Sequence, residues 1–531
     1  MPSFTLLLRV SSSLSVKKNI KLFNFRSLSA TSAFICENLH KPTIFTMNES
    51  IRQLSPQAMW NNFADLNAVP RPSKKEERVI QFIKSFGEKL GFPTYVDEVG
   101  NVIIKKPATA GMEDRVTVVL QSHLDMVHQK NANTIFDFDT QGIEMYIDED
   151  WVRAKGTTLG ADNGIGVASI MTLLASTDIP HPALEALFTI DEETGMTGAL
   201  ALKGGLLAGK IMLNLDTEED NELTIGCAGG IDITASGIYY ALLPTNTHAF
   251  QIAIKGLAGG HSGIEIHKGK GNANKLMNRL LFNIMRQFDV EISSIDGGSL
   301  RNAIPRESVA VVIVAENKVA NLQAVIADYD AILKHEYQTT DPNVYVACEA
   351  VECPEGVLQQ SLQKTFLCSV YACPNGIYRM SPDIDGLVQT SNNLARVLVK
   401  DGKYSIQCLT RSSVDSEKTD LQNAITSVFD LLGAKVEYGG SYPGWTPTPS
   451  ADIVKLMSEL YEERYGESAL VNACHAGLEC GILGTNYPDM QMISFGPTIH
   501  GAHSPDERVK ISSVQKYWGF LLETLVRIPQ K

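Results

Sequence analysis

The stretch RVTVVLQSHLDMV, residues 115–127, decides the reading of this chain. Its first six residues form an apolar, β-branched run of strand length. The run then gives way to His123 and Asp125. A charge at the end of a core strand is costly unless it is paired or bound to a metal. The His-x-Asp pair therefore asks for partners elsewhere in the chain.

Similar runs recur. NVIIK (101–105), EALFTI (185–190), KIMLNL (210–215) and MQMISF (490–495) read as strands, and NGIGVASIMTLLAS (163–176) reads as a helix between two of them. Alternation of this kind predicts an α/β fold, a central sheet covered by helices. In open α/β sheets, sites form beyond the carboxyl ends of the strands. Two helices are expected before the sheet. SPQAMWNNFADLN offers Ser55 as N-cap with Pro56 in first position. SKKEERVIQFIKSFGEKLG places Ser73 and Glu76 in capping-box spacing, with Gly91 to end the helix.

Acids and histidines follow several of the strands. His123 and Asp125 follow the first, Asp191, Glu192 and Glu193 follow EALFTI, Asp216 follows KIMLNL, and GPTIHGAHSPDE with His503 follows MQMISF. Imidazoles and carboxylates are the ligand set of zinc and related divalent ions. Residues i and i+2 of an extended segment point to one side. His123 can thus ligate a metal while Asp125 orients its ring. Asp162, in TTLGADNGIG, reads either as an N-cap or Asx turn or as a carboxylate shared by two metals. Glu192 and Glu193 are neighbours whose side chains diverge. One can ligate while the other takes a proton from water, the division a metal hydrolase needs.

The texture changes between 230 and 442. HAFQIAIKG and VAVVIVAE read as strands, and KLMNRLLFNIMRQF (275–288) and NLQAVIADYDAILKHE (321–336) as amphipathic helices. GGSYPGWTPTPS (439–450) marks a return to the first domain. The expected organisation is a catalytic domain in two parts, 47–229 and 443–531, around an inserted α+β domain, 230–442.

The 531 residues exceed one ordinary core. A net charge of −14 argues against a nucleic-acid partner, and no stretch reaches the ~18–20 apolar residues of a membrane span. Nine scattered cysteines without a C-x-x-C read as free thiols of a reducing compartment. Residues 1–46 stand apart. Six basic residues (Arg9, Lys17, Lys18, Lys21, Arg26 and Lys41) face one acid, Glu37, in a Ser-rich segment. The composition is that of a mitochondrial or plastid transit peptide; the other reading is an extension upstream of Met47 on a cytoplasmic protein.

SHLDMV, LGADNGIG, DEETGMTGA, NLDTEED and GPTIHGAHSPDE, in this order, resemble the dinuclear zinc peptidases related to glutamate carboxypeptidase and carnosinase. Their wording is nearest to the bacterial aminoacyl-histidine dipeptidases. The resemblance runs from about Met47 to the C-terminus and implies a zinc-peptidase catalytic domain with an inserted lid. It implies two divalent ions, zinc first, with manganese or cobalt as alternatives. His123, Asp162 and Asp216 would hold one ion, and Asp162, Glu193 and His503 the other. His503 is preferred to His500 because the family's ligand precedes Ser. Asp125 would clamp His123 and Glu192 would be the general base. His261 of the lid would polarise the scissile carbonyl, and Asn302 and Arg411 would hold substrate, Arg411 on its carboxylate. His475 and Glu479 match the family pattern near the site. The activity implied is hydrolysis of dipeptides with free N-termini, Xaa-His pairs such as β-alanyl-histidine among them. A same-fold deacylase of N-acyl amino acids is the competing reading; the Asp at 216 speaks against it, since relatives of that kind carry Glu. A homodimer is left open.

Overall fold

The apolar runs assemble into one mixed sheet of eight strands. Its order is Thr94–Val96, Val102–Lys106, Leu184–Thr189, Val118–His123, Ile211–Asn214, Gln491–Ser494, Glu222–Cys227 and Leu470–Cys474. The structure is a computed structural model and describes residues 48–531; the targeting reading of residues 1–46 lies outside them. The central strands Leu184–Thr189, Val118–His123, Ile211–Asn214 and Gln491–Ser494 run parallel. The first three of these are buried along their whole length, as parallel strands covered on both faces must be.

The strand expected at 115–120 starts and ends later. The Val116 amide donates to the Pro529 carbonyl and Arg115 bridges to Gln530, so the C-terminal segment takes up these backbone groups. The strand proper then runs through His123, which lies opposite Thr189. The helix Ala161–Ala175 packs in the core with Trp60, Phe63, Phe188, Phe495 and Leu521.

Two caps differ from expectation. The first helix is Gln57–Asn67, with Pro56 itself at the cap and no side-chain cap. Ser55 lies one residue too early to reach the free amides. The second is Glu77–Lys89, again with no side-chain cap. Ser73 sits outside it and donates to the Met126 carbonyl, while Glu76 accepts from the Lys74 amide. Gly91 follows this helix with φ +77°, the left-handed turn expected there.

A second sheet of nine antiparallel strands has all its members between Gly229 and Tyr442. Helices Ala273–Gln287, Val319–Glu336, Gln360–Ala372 and Asp415–Leu432 close its core around Leu280, Ile326, Phe366 and Phe429. Its first and last strands are neighbours, with Gly230 opposite Tyr442. A Cβ on Gly229 would stand 2.5 Å from the Gly444 amide nitrogen. The chain therefore enters and leaves this part side by side, at a crossing only glycine permits. The eight described cysteines are free. Among the described residues no helix is long and apolar enough to cross a membrane.

Gly166 lies on the helix that follows Asp162. A Cβ there would meet Asn163 Oδ1 at 2.1 Å, Ser122 Oγ at 2.4 Å and the Leu215 carbonyl at 2.8 Å. Gly166→Ala is expected to destabilise the protein by about 1–3 kcal/mol, as overpacking of a core does. Urea unfolding of the variant beside the parent measures it; an unchanged midpoint contradicts this packing.

Candidate metal centre

His123 ends its strand fully buried. Its Nε2 stands 3.2 Å from Asp162 Oδ1 and 3.5 Å from Asp216 Oδ1. The other oxygen of Asp162 stands 3.3 Å from His503 Nε2, which also meets Glu193 Oε2 at 3.0 Å. Two groups result, His123–Asp162–Asp216 and Asp162–Glu193–His503, each with its ligand atoms within 4.8 Å of one another. Asp162 belongs to both. One nitrogen and two carboxylate oxygens in each group form a donor set that suits a divalent cation. His500 lies elsewhere, against Glu219 and the Trp151 ring.

The two halves of Asp125 do different work. Oδ1 lies 3.4 Å from His123 Nδ1 and also accepts the Glu192 amide at 3.0 Å; Oδ2 accepts the Glu193 amide at 3.3 Å. One buried carboxylate thus orients a histidine from one strand and the glutamates that follow another. Asp191, immediately before them, has φ +52°, and His503 has φ +62°. Such left-handed residues are costly and cluster where a site must aim its side chains.

Electrostatics reflect the crowding. Burial works against the charged form of Asp162, yet the imidazoles of His123 and His503 hold it well below the usual carboxylate range. Burial pulls His123 down, but Asp216, Asp125 and Asp162 leave it well above an ordinary histidine. Hydrogen bonds to Asp162 and Glu193 carry His503 to about 11. Burial raises Glu192 well above its usual value, with the charges of Asp216 and Glu193 adding to it.

Three supporting residues escaped the sequence reading or were only partly placed by it. Glu507, in the quoted HSPDE, accepts four amides: Leu159 (2.7 Å) and Gly160 (2.9 Å) on Oε2, Ala161 (2.7 Å) and Asp162 (3.3 Å) on Oε1. It takes the amides at the start of the helix, which the N-cap reading of Asp162 leaves to that side chain. Asp162 has non-helical ψ 112°, and its peptide to Asn163 is cis. Arg71, fully buried, donates to the carbonyls of Leu124, Asp125 and Gly160. Glu479 accepts from Gln121 and Thr189, both at 2.6 Å, and burial pushes it up to about 8. Nothing in sequence spacing points to such long-range partners.

Residues 230–442 carry further candidate groups, His261 on a short two-stranded pair with Ala303 and Arg411 on the nine-stranded sheet. His261 Nδ1 accepts the amides of Gly263 (3.2 Å) and Ile264 (3.1 Å). Nδ1 is therefore the acceptor, and the proton of the neutral ring sits on Nε2. Burial and Arg411 lower its pKa to about 4, so it is a neutral donor at pH 7. Arg411 is buried, with Nη1 on the Tyr442 hydroxyl at 2.9 Å, no hydrogen bond to Nε and no ion pair among the described residues. Asn302 is exposed. Its loop is held by Asn393, which donates to the Arg301 and Ala303 carbonyls, and by the Ser262 amide on the Asn302 carbonyl. His475 Nε2 lies 2.8 Å from Ser391 Oγ, a hydrogen bond between the two sheets' domains of chain.

A sheet whose strand ends gather two histidine–carboxylate groups, interrupted in sequence by a second sheet, is the arrangement of the M20 class of metallopeptidases. The Peptidase dimerisation domain of that class matches residues 252–341. The chain is 44% identical to the cytosol non-specific dipeptidase of Escherichia coli, over 91% of this chain and 99% of that protein. It belongs to the family of that enzyme. The crystal structure of aminoacylhistidine dipeptidase from Vibrio alginolyticus superposes with a TM-score of 0.84 at 44% identity, over 91% of this chain and 98% of the other. The aminopeptidase PepT of Bacillus cereus shares the fold at 15% identity, with a TM-score of 0.52 over 89% of this chain and 98% of the other. The α/β catalytic fold with an added lid expected from sequence is the fold observed in these relatives.

The surrounding carboxylates hold His123 and His503 above the ordinary histidine value and so favour their protonated rings. Ligation requires the neutral ring. Zinc uptake by the metal-free protein is expected to release protons, and affinity to fall as pH is lowered. Calorimetry in buffers of different ionisation enthalpy measures the release; none at pH 7 contradicts this reading.

Proposed function

We propose that the chain is a dipeptidase working through two divalent ions that share Asp162. The observation that carries this is the geometry of Asp162, one oxygen toward His123 and the other toward His503. His123, Asp162 and Asp216 hold one ion; Asp162, Glu193 and His503 hold the other. Zinc suits the donors, and manganese and cobalt are compatible with them. When bound, the ions acidify a water and polarise the carbonyl oxygen.

The protein's own groups do the rest. Asp125 keeps His123 Nε2 aimed at the ion site. Glu192, buried and raised, takes the proton of the water and passes it to the departing amine. His261 offers its Nε2–H to the developing oxyanion, a role its two amide partners prepare by fixing the tautomer. Arg411, a buried cation with no ion pair among the described residues, receives the substrate carboxylate, and Asn302 also holds substrate; guanidinium and carboxylate match in two parallel hydrogen bonds.

Residues 230–442 act as the lid over 47–229 and 443–531, hinged where Gly229–Gly230 and Tyr442–Gly444 cross. Short substrates follow from such a closed site: dipeptides with free N-termini, Xaa-His pairs such as β-alanyl-histidine included. The dimerisation match at 252–341 supports a homodimer. A relative named for the cytosol supports a cytoplasmic enzyme.

The test is hydrolysis of a panel holding unblocked dipeptides, Xaa-His pairs and an N-acetylated amino acid, with metal-stripped and zinc-restored protein. Zinc-dependent cleavage of the unblocked dipeptides is expected; cleavage of the acetylated compound alone would make the protein a deacylase. Glu192→Gln is expected to lose about 10²–10⁴ in kcat with its metal content unchanged. His261→Ala is expected to lower kcat by about 10²–10³, whereas Arg411→Ala acts mainly by raising KM. Steady-state kinetics and metal analysis of the three variants check these outcomes.

A further inference from the structure

The turn GGHSGIEIHKGK, residues 259–270, carries His261 and closes on itself. On one side it is bound to the loop of Asn302. Gly260 and His261 pair with Ile304 and Ala303, and the Ser262 amide donates to the Asn302 carbonyl at 2.8 Å. On the other side the partner is Glu265. Its Oε2 accepts the His261 amide at 2.9 Å, and its own amide donates to the His261 carbonyl at 3.1 Å. Both main-chain groups of His261 thus meet a single residue.

Glu265 is itself held in place. Its Oε1 accepts Lys270 Nζ at 2.8 Å and Lys268 Nζ at 3.2 Å, and Lys270 Nζ also donates to the Gly259 carbonyl at 2.6 Å. Lys270 therefore ties the first residue of the turn to the carboxylate. The approach is close. A Cβ on Gly260, whose φ is +148°, would stand 2.2 Å from Glu265 Oε2 and 2.8 Å from Lys270 Nζ, so only glycine leaves the carboxylate room. The hydrogen bond from Lys270 holds Glu265 down at about 2, and it is ionised at pH 7.

Inside this frame the imidazole has little freedom. Its Nδ1 accepts the amides of Gly263 and Ile264, which lie between His261 and Glu265. A Cβ on Gly263 would meet the His475 carbonyl at 2.2 Å, His261 Cε1 at 3.1 Å and Arg411 Nε at 3.2 Å. The turn thus packs directly against Arg411 and the segment of His475, and a slip of its backbone would carry the ring with it. A carboxylate on a backbone amide makes a charge-assisted hydrogen bond, short and directional. That is the kind of contact that fixes a geometry.

We propose that Glu265, braced by Lys270, is a positioning residue for the reaction: it holds the His261 turn so that Nε2–H points at the developing oxyanion. The proposal rests on the role given to His261 in the dipeptidase reading above. Glu265 acts through His261 and not on the substrate. Its effect therefore falls on kcat rather than on KM, because a donor aimed at the oxyanion gains strength only in the transition state.

The test is a double-mutant cycle on the zinc-loaded full-length protein: the parent, Glu265→Ala, His261→Ala and the double variant, with an unblocked dipeptide as substrate. Glu265→Ala is expected to lower kcat by about ten- to a hundredfold, the cost of a small misplacement of a catalytic group, with KM and zinc content unchanged. In the His261→Ala background the same substitution should lower kcat no further, since two residues that act as one do not add. An unchanged kcat in Glu265→Ala, a loss by the same factor in both backgrounds, or a loss that appears in KM overturns the proposal. A His261→Ala variant as active as the parent removes the role of His261 and the proposal with it. A parent that cleaves no dipeptide overturns the dipeptidase reading instead.

Discussion

The carboxylate of Glu507 against the four amides from Leu159 to Asp162 is the contact on which the centre depends. A buried helix start leaves amides that must find acceptors. Here one side chain, some 345 residues further along the chain, receives four of them. Arg71 answers from the other side by donating to the Gly160, Leu124 and Asp125 carbonyls. The turn carrying Asp162 and the turn carrying His123 and Asp125 are thereby held to a common frame of buried polar bonds. Burial pushes Glu507 up to about 7 and Arg71 down to about 10, each opposed by its partners. A buried charge lost from such a pair is strongly destabilising.

Within that frame the site concentrates negative charge. Asp125, Asp162, Glu192, Glu193 and Asp216 gather around two imidazoles at the ends of parallel strands. The arrangement separates duties by environment. Asp162 lies between two imidazoles that hold it low, whereas Glu192, equally buried but without such partners and beside Asp216 and Glu193, is held well above its usual value. Carboxylates whose surroundings drive their pKa values apart are the usual division between ligand and proton carrier.

The lid side is organised by the same economy of partners. His261 uses Nδ1 as an acceptor for its own turn and presents Nε2–H outward. Arg411 gives one hydrogen bond to Tyr442, and its Nε has no partner among the described residues. Tyr442 lies at the end of the strand that closes the lid sheet, beside the crossing at Gly229. Arg411 is thus anchored beside the point where the chain enters and leaves this sheet.

The sequence by itself determined the strands, their order of appearance, the placing of acids and histidines after them, and the change of texture near 230 and 442. These are local properties: β-branched runs, periodicity and turn residues act over a few positions. Every residue named for the metal groups meets its partners in the structure. What the tertiary structure alone decided was which distant groups complete the local ones. Ser55 and Ser73 looked like caps, yet neither side chain reaches its helix. Asp162 read either as a cap or as a shared metal carboxylate, and the helix-start amides go to Glu507. Residues 115–117 looked like sheet, and the C-terminal segment claims their backbone. The physical reason is common to these cases. A backbone amide or a carboxylate takes whichever partner the fold brings within about 3 Å, and sequence distance does not enter that competition.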